Sequence, residues 1–133
     1  MFKPALPLLL LALLAGCEER DRLTFPSNEP GGDEEGPVTT IDSPSVDSVL
    51  TEGDFFVVGG RSVDSNGVDT VYIEVVGSGQ AFLPLVGGGE ETVDFGIPVP
   101  TIGLSATTVI IRVRAVDVLG NQGLTAVRQL QIE

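Results

Sequence analysis

The chain has 133 residues, and its 7 basic and 19 acidic side chains give a formal net charge of −12 at pH 7. Such a charge repels nucleic acid phosphates and anionic lipid head groups, so we expect no nucleic acid partner. Because the sequence has no histidine and a single cysteine, it lacks Ser-His-Asp or Cys-His catalytic groups and a zinc ligand set, and we do not expect an enzyme.

Residues 1–16 have the layout of a secretory signal peptide, with Lys3 near the start and small residues before Cys17. The apolar stretch, residues 5–15, is shorter than the about 20 residues that a membrane-spanning helix needs. The run Leu14-Ala15-Gly16-Cys17 resembles the lipobox of bacterial lipoproteins. This resemblance implies cleavage before Cys17, acylation of that residue and a membrane anchor. It favours the outer membrane, because Glu18 is not the aspartate that resembles an inner-membrane retention signal. The alternative is an ordinary signal peptide in which Cys17 is incidental.

Residues 17–37 form the predicted linker between the lipidated cysteine and the domain. They are rich in proline, glycine and acidic residues and offer little to bury apart from Leu23 and Phe25. This composition predicts a disordered tether. As a flexible coil of about 20 residues, it would hold the domain about 25 Å from the membrane.

Residues 38–133 are long enough for one hydrophobic core, and we predict a single all-β domain there. Alternating runs rich in valine, isoleucine and threonine are separated by turn signals, which is typical of a β-sandwich. The seven predicted strands cover residues 38–42, 55–63, 70–76, 80–86, 92–97, 108–117 and 124–132. We also predict a turn at residues 64–67, a flexible connection at residues 87–89 and a β-bulge near Arg128.

Alternation within three strands predicts which side chains face the core. The expected inward positions are Phe56, Val58, Gly60 and Ser62 in the second strand, Val71, Ile73 and Val75 in the third, and Val109, Ile111, Val113 and Ala115 in the sixth.

Two stretches resemble parts of bacterial Ig-like domains. Phe56–Val75 resembles their B–C hairpin, and Ile111–Asn121 resembles their F strand and the turn that follows it. The resemblance implies a single Ig-like or fibronectin III-like antiparallel β-sandwich. It differs from the antibody type, which has a cysteine pair and a core tryptophan. Ig-like modules serve adhesion, spacing and enzyme support alike, so the resemblance implies a fold rather than one function.

Oxygen-bearing side chains in two turns form a candidate calcium site. The candidates are Asp64, Asn66, Asp69, Asp117 and Asn121. Calcium takes six to eight such oxygens, and the two turns would lie at the same end of an Ig-like sandwich. An EF-hand is excluded, because Val75 stands where that loop needs a glutamate. The alternative, which we favour, is that these side chains bond their own backbone, with a positive φ at Gly67.

A second candidate site lies on the outer face of the third and sixth predicted strands. Tyr72, Arg112 and Arg114 would project there, and tyrosine and arginine are enriched at binding hot spots. The interpretation we favour is that the arginines pair with Glu74 on the neighbouring strand, and the functional alternative is a partner surface that contacts an acidic partner.

The sequence therefore predicts a lipid-anchored protein of the bacterial cell envelope, with one monomeric domain in the periplasm or at the cell surface. The expected role is a non-catalytic binding or structural module whose partner is an envelope protein or a glycan. The alternatives are a calcium-dependent adhesion or carbohydrate-binding domain and an accessory subunit of an envelope complex. We expect no cofactor beyond the candidate calcium ion.

Overall fold

The computed structural model describes residues 35–133 of the chain. The predicted signal peptide, Cys17 and nearly all of the predicted linker lie outside the described residues. The strands are β1 (Val38–Ser43), β2 (Ser48–Leu50), β3 (Phe55–Val76), β4 (Leu85–Pro100), β5 (Thr107–Asp117) and β6 (Ala126–Ile132). Within the described range, the chain forms no helix long and apolar enough to cross a bilayer. The all-β prediction is confirmed.

The six strands form one curled sheet with the order β1-β3-β5-β6-β2, and β4 also pairs with β3. All pairs are antiparallel except that of β2 with β6. The first half of β3 pairs with β1 and with the end of β4, while its second half pairs with β5 and the start of β4. Because β3 changes partners midway, the sheet folds over on itself as a β-sandwich.

The predicted turn at residues 64–67 does not reverse the chain. The second and third predicted strands are the two halves of β3, which continues through these residues with an irregular register between Val63 and Val68. The segment therefore forms a bulge rather than a hairpin. Gly67 has a φ of +101° within this bulge, an angle that glycine adopts at little cost. The expected B–C hairpin is therefore wrong.

A similar correction applies to residues 87–89. The fourth predicted strand begins at Leu85 instead of residue 80, and β4 runs through the three glycines to Pro100 without a break. A Cβ on Gly87 would overlap the carbonyl oxygen of Val68, so glycine allows β3 and β4 to approach closely here. Gly88 and Gly89 have φ angles of +65° and +82° and bend the strand.

The predicted inward faces are confirmed. Asp69 is an extra residue between Val68 and Thr70 relative to β5, and this moves the inward face of β3 from even to odd positions. The inward side chains at the centre of β5 are fully buried. Burial of a valine or isoleucine side chain there stabilises the fold by about 1.5–3 kcal/mol. The core consists of Ile41, Phe56, Val58, Val68, Val71, Ile73, Val75, Phe95, Val99, Val109, Ile111, Val113, Ala115, Leu130 and Ile132.

The predicted bulge near Arg128 is wrong. β5 and β6 pair without a register shift, and Val127 faces outward with 54% of its surface exposed. Arg128 occupies the inward parity of β6 and donates hydrogen bonds to the carbonyl oxygens of Pro44, at 2.9 Å, and Ile41, at 3.0 Å. An arginine therefore connects β6 to β1 at a position where the sequence pattern suggested a break.

Candidate functional site

The outward side of β3 and β5 brings Tyr72, Arg112 and Arg114 together. Tyr72 lies directly opposite Arg114 in the strand pairing, and Glu74 lies opposite Arg112. We call these four residues the arginine face. Residues directly opposite one another in an antiparallel pair share a face, so alternation and register together determine this grouping.

The two arginines of this face have different partners. Arg112 Nη1 lies 3.7 Å from Glu74 Oε2, which is the ion pair that the sequence predicts. The Cζ of Arg114 lies 4.4 Å from the centroid of the Tyr72 ring, within the range of a cation–π contact. Arg114 Nη1 also donates a hydrogen bond of 3.2 Å to Gln122 Oε1. Arg114 is thus held by neutral groups.

The arginine face borders a groove of about 350 Å³ that also includes Ile73 and Thr125. The side chain of Ile73 is buried in the core, so this residue presents its main chain to the groove. Sequence reasoning did not identify Gln122 and Thr125. Gln122 lies in the connection between β5 and β6, and Thr125 lies in the seventh predicted strand but precedes β6, which begins at Ala126.

The first acidic turn is held by its own backbone. Asn66 N–H donates a hydrogen bond of 2.8 Å to Asp64 Oδ1, and Gly67 has the positive φ that we expected. Asp69 stands apart from this arrangement, since its Oδ2 accepts a hydrogen bond from Thr70 Oγ1 at an exposed position. The bond to Asp64 is one that the structural alternative expects, although it lies in a bulge of β3 and not in a turn that reverses the chain.

The second turn uses both carboxylate oxygens of Asp117, which is 1% exposed. Its Oδ1 accepts hydrogen bonds from the N–H groups of Leu119, at 2.9 Å, and Asn121, at 2.7 Å. Its Oδ2 accepts a hydrogen bond of 2.9 Å from Asn121 Nδ2. Burial raises the pKa of Asp117, but the hydrogen bonds from Asn121 and from backbone N–H groups outweigh burial, so its pKa lies below the ordinary value.

The two acidic segments lie side by side because β3 pairs with β5 here. Val118 N–H donates a hydrogen bond of 3.0 Å to Gly67 O, and Val68 is the strand partner of Asp117. Across residues 35–133, no group of three or more histidine, cysteine or acidic side chains is arranged to hold a metal ion. A calcium site at these turns stays a prediction.

No protein-family model matches the chain, and no curated protein matches its sequence. Two similar solved structures are crystal structures of the SrpA adhesin from Streptococcus sanguinis. One has 14% sequence identity and a TM-score of 0.54, and covers 77% of this chain and 59% of the adhesin chain. The other, a point mutant, has 16% identity and a TM-score of 0.50, with 77% and 57% covered. The chain thus spans less than two thirds of the adhesin chains it matches. At this identity the likeness concerns the fold, and it agrees with the β-sandwich.

Proposed function

We propose that this chain is a lipid-anchored protein of the bacterial cell envelope whose β-sandwich is a non-catalytic binding module. The observation that carries the proposal is the arginine face, a partly exposed cluster of tyrosine and arginine on a strongly acidic chain. Such side chains provide much of the binding energy at protein interfaces. The likeness to an adhesin supports binding at a cell surface, and the absence of histidine from the whole sequence supports a non-catalytic role.

The lipid anchor rests on the sequence around Cys17. The lipobox resemblance and the short apolar stretch before it support cleavage and acylation at this position. Two or three acyl chains anchor a protein stably, whereas a single chain gives only marginal binding. The domain would then face the periplasm or the exterior from its tether.

The anchor is tested by metabolic labelling with an alkyne fatty acid in a bacterial host that processes lipoproteins. We expect label in the wild-type protein and none in Cys17→Ala. Mass spectrometry of the N-terminal peptide should show an acylated Cys17 as the first residue. An unlabelled wild-type protein, or label that persists in Cys17→Ala, would overturn the anchor.

The binding face is tested by photo-crosslinking in living cells. A photoreactive residue at Val127 reports on the arginine face, because Val127 is the strand partner of Arg112 and is exposed. A matched probe replaces Phe55, which is 68% exposed at the start of β3. We expect one dominant product from position 127 alone, lost when Arg112 and Arg114 are both replaced by glutamine. The same products from both positions, or none from position 127, would contradict this use of the face.

A further inference from the structure

We propose that the arginine face binds a carboxylate side chain of an acidic polypeptide, with Arg114 as the principal contact. This inference rests on the proposed binding function and names the chemistry of its partner. Three features carry it: the partners of the arginines, the way in which Arg114 is held, and the groups that surround it.

Three of the four arginines in residues 35–133 have carboxylate or carbonyl oxygens as partners of their guanidinium groups. Arg61 pairs with Asp94 at 3.2 Å, Arg112 pairs with Glu74, and Arg128 donates to two carbonyl oxygens. In that same part of the chain, no carboxylate forms an ion pair with Arg114 within 4.0 Å, and its side chain contacts the neutral amide of Gln122 and the aromatic ring of Tyr72. A guanidinium has five N–H donors, and the bond to Gln122 engages Nη1. Arg114 therefore keeps donors for a ligand.

The contacts of Arg114 also limit its motion before a ligand arrives. The Tyr72 ring supports the guanidinium, and the Gln122 side chain fixes one end of it. A planar guanidinium that is already positioned loses less conformational freedom when it forms hydrogen bonds with a carboxylate. The arrangement favours binding through two parallel N–H···O bonds.

The surroundings favour a polypeptide over a sugar. Arg114 covers one face of the Tyr72 ring, so that face is not free to stack on a sugar ring. The groove also presents the carboxylate of Glu74 and the hydroxyl of Thr125, which can accept hydrogen bonds from peptide N–H groups. An acidic side chain flanked by peptide groups matches this combination of an arginine without an ion pair and neighbouring acceptors.

The negative charge of the whole chain does not prevent such binding. At physiological ionic strength the Debye length is about 8 Å, so more distant carboxylates are largely screened. The acidic residue of the face itself, Glu74, is engaged with Arg112. The local charge that a ligand meets at Arg114 is therefore positive.

The test is a titration of the full-length lipidated protein, in non-ionic detergent at physiological salt, into a fluorescent peptide of twelve glutamates. The variants are Arg114→Gln, Arg114→Lys and Arg61→Gln, and the melting temperature of each confirms that it is folded. Arg61→Gln is the matched control, since it also removes one exposed arginine, which lies on β3 and outside the arginine face. We expect Arg114→Gln to weaken peptide binding by about tenfold or more, because a charge-assisted bidentate contact is lost. Arg61→Gln should change it by less than about twofold, and Arg114→Lys should lie between them because lysine keeps the charge without the fork geometry.

A parallel titration uses an oligosaccharide of glucuronic acid. Tighter binding of this sugar, dependent on Arg114, would overturn the polypeptide while leaving the binding function in place. Equal losses in Arg61→Gln and Arg114→Gln, or no binding of the peptide, would overturn the role of Arg114. If the photo-crosslinks at position 127 persist in that case, the acidic ligand is wrong and the proposed function stands; if they are also missing, both fail.

Discussion

Replacement of Arg128 by methionine tests how the two halves of the sandwich are joined. The guanidinium donates two hydrogen bonds from β6 to the carbonyl oxygens of Ile41 and Pro44, at 3.0 Å and 2.9 Å. Arg128→Met keeps most of the apolar stem and removes both donors. The resulting loss therefore measures the hydrogen bonds more than the packing.

A hydrogen bond from a charged donor contributes about 1.5–3 kcal/mol to stability. Arg128 is half-buried, so water can reach part of the site, and we assign about 1–1.5 kcal/mol to each bond, at or below the lower end of that range. We expect Arg128→Met to lower the free energy of unfolding by about 2–3 kcal/mol. For a domain of about 100 residues, each kcal/mol lowers the melting temperature by about 4–8 °C, so the shift should reach about 8 °C or more.

Urea denaturation followed by circular dichroism measures the change, and Arg61→Met is the control. Arg61 forms an exposed ion pair with Asp94, whose side chains are 55% and 70% exposed, and such pairs contribute at most about 1 kcal/mol. If the two variants lose the same small amount, the bonds of Arg128 contribute nothing net and the reasoning is refuted.

Three further predictions concern the turns. The pKa of Asp117 is lowered in the folded state, so the folded protein binds this proton more weakly than the unfolded chain does. The ionised carboxylate therefore stabilises the fold above the unfolded pKa of about 4, and this stabilisation is lost as the pH falls through the lower pKa of the folded state. Urea midpoints measured between pH 2 and 6 should therefore fall less steeply in Asp117→Asn than in the wild type, and parallel curves would refute this. Gly67→Ala should cost at least about 1 kcal/mol more than Gly53→Ala in urea denaturation, because both have φ near +100° but only at Gly67 would the new Cβ overlap a backbone carbonyl oxygen. Calcium titrated into the protein should give no saturable heat, since the turn carboxylates already accept N–H groups; heat that disappears in Asp64→Ala would establish a calcium site.

The fold could be predicted where a pattern depends on burial alone. β5 alternates strictly because one side of it is buried along its whole length, so its inward residues follow from period two. β3 and β4 could not be bounded in this way, since the glycine and Asx signals that permit a chain reversal also permit a bulge. Only the partner strand decides between these outcomes. β2 was missed because its three residues are too few to show a pattern.

Alternation also predicted that Tyr72, Arg112 and Arg114 share a face with Glu74 as a possible ion-pair partner, but not which of the two arginines pairs with it. The register placed Glu74 opposite Arg112 and left Arg114 with Tyr72, and this register depends on the extra residue at Asp69. Arg128 shows the reverse case. A charged residue at an inward position looks like an interruption of the strand until its two carbonyl partners are known.

The two candidate sites differ in whether their charged groups already have strong hydrogen-bond or ion-pair partners. Asp64 and Asp117 satisfy backbone N–H groups, so a cation would compete with hydrogen bonds that hold the turns in shape. Arg114 is half-exposed and held by neutral partners, and an incoming carboxylate would add contacts without breaking an ion pair. The same principle of satisfied polar groups favours a stabilising role for the acidic turns, and it is the reason why we propose the arginine face, and not these turns, as the binding surface.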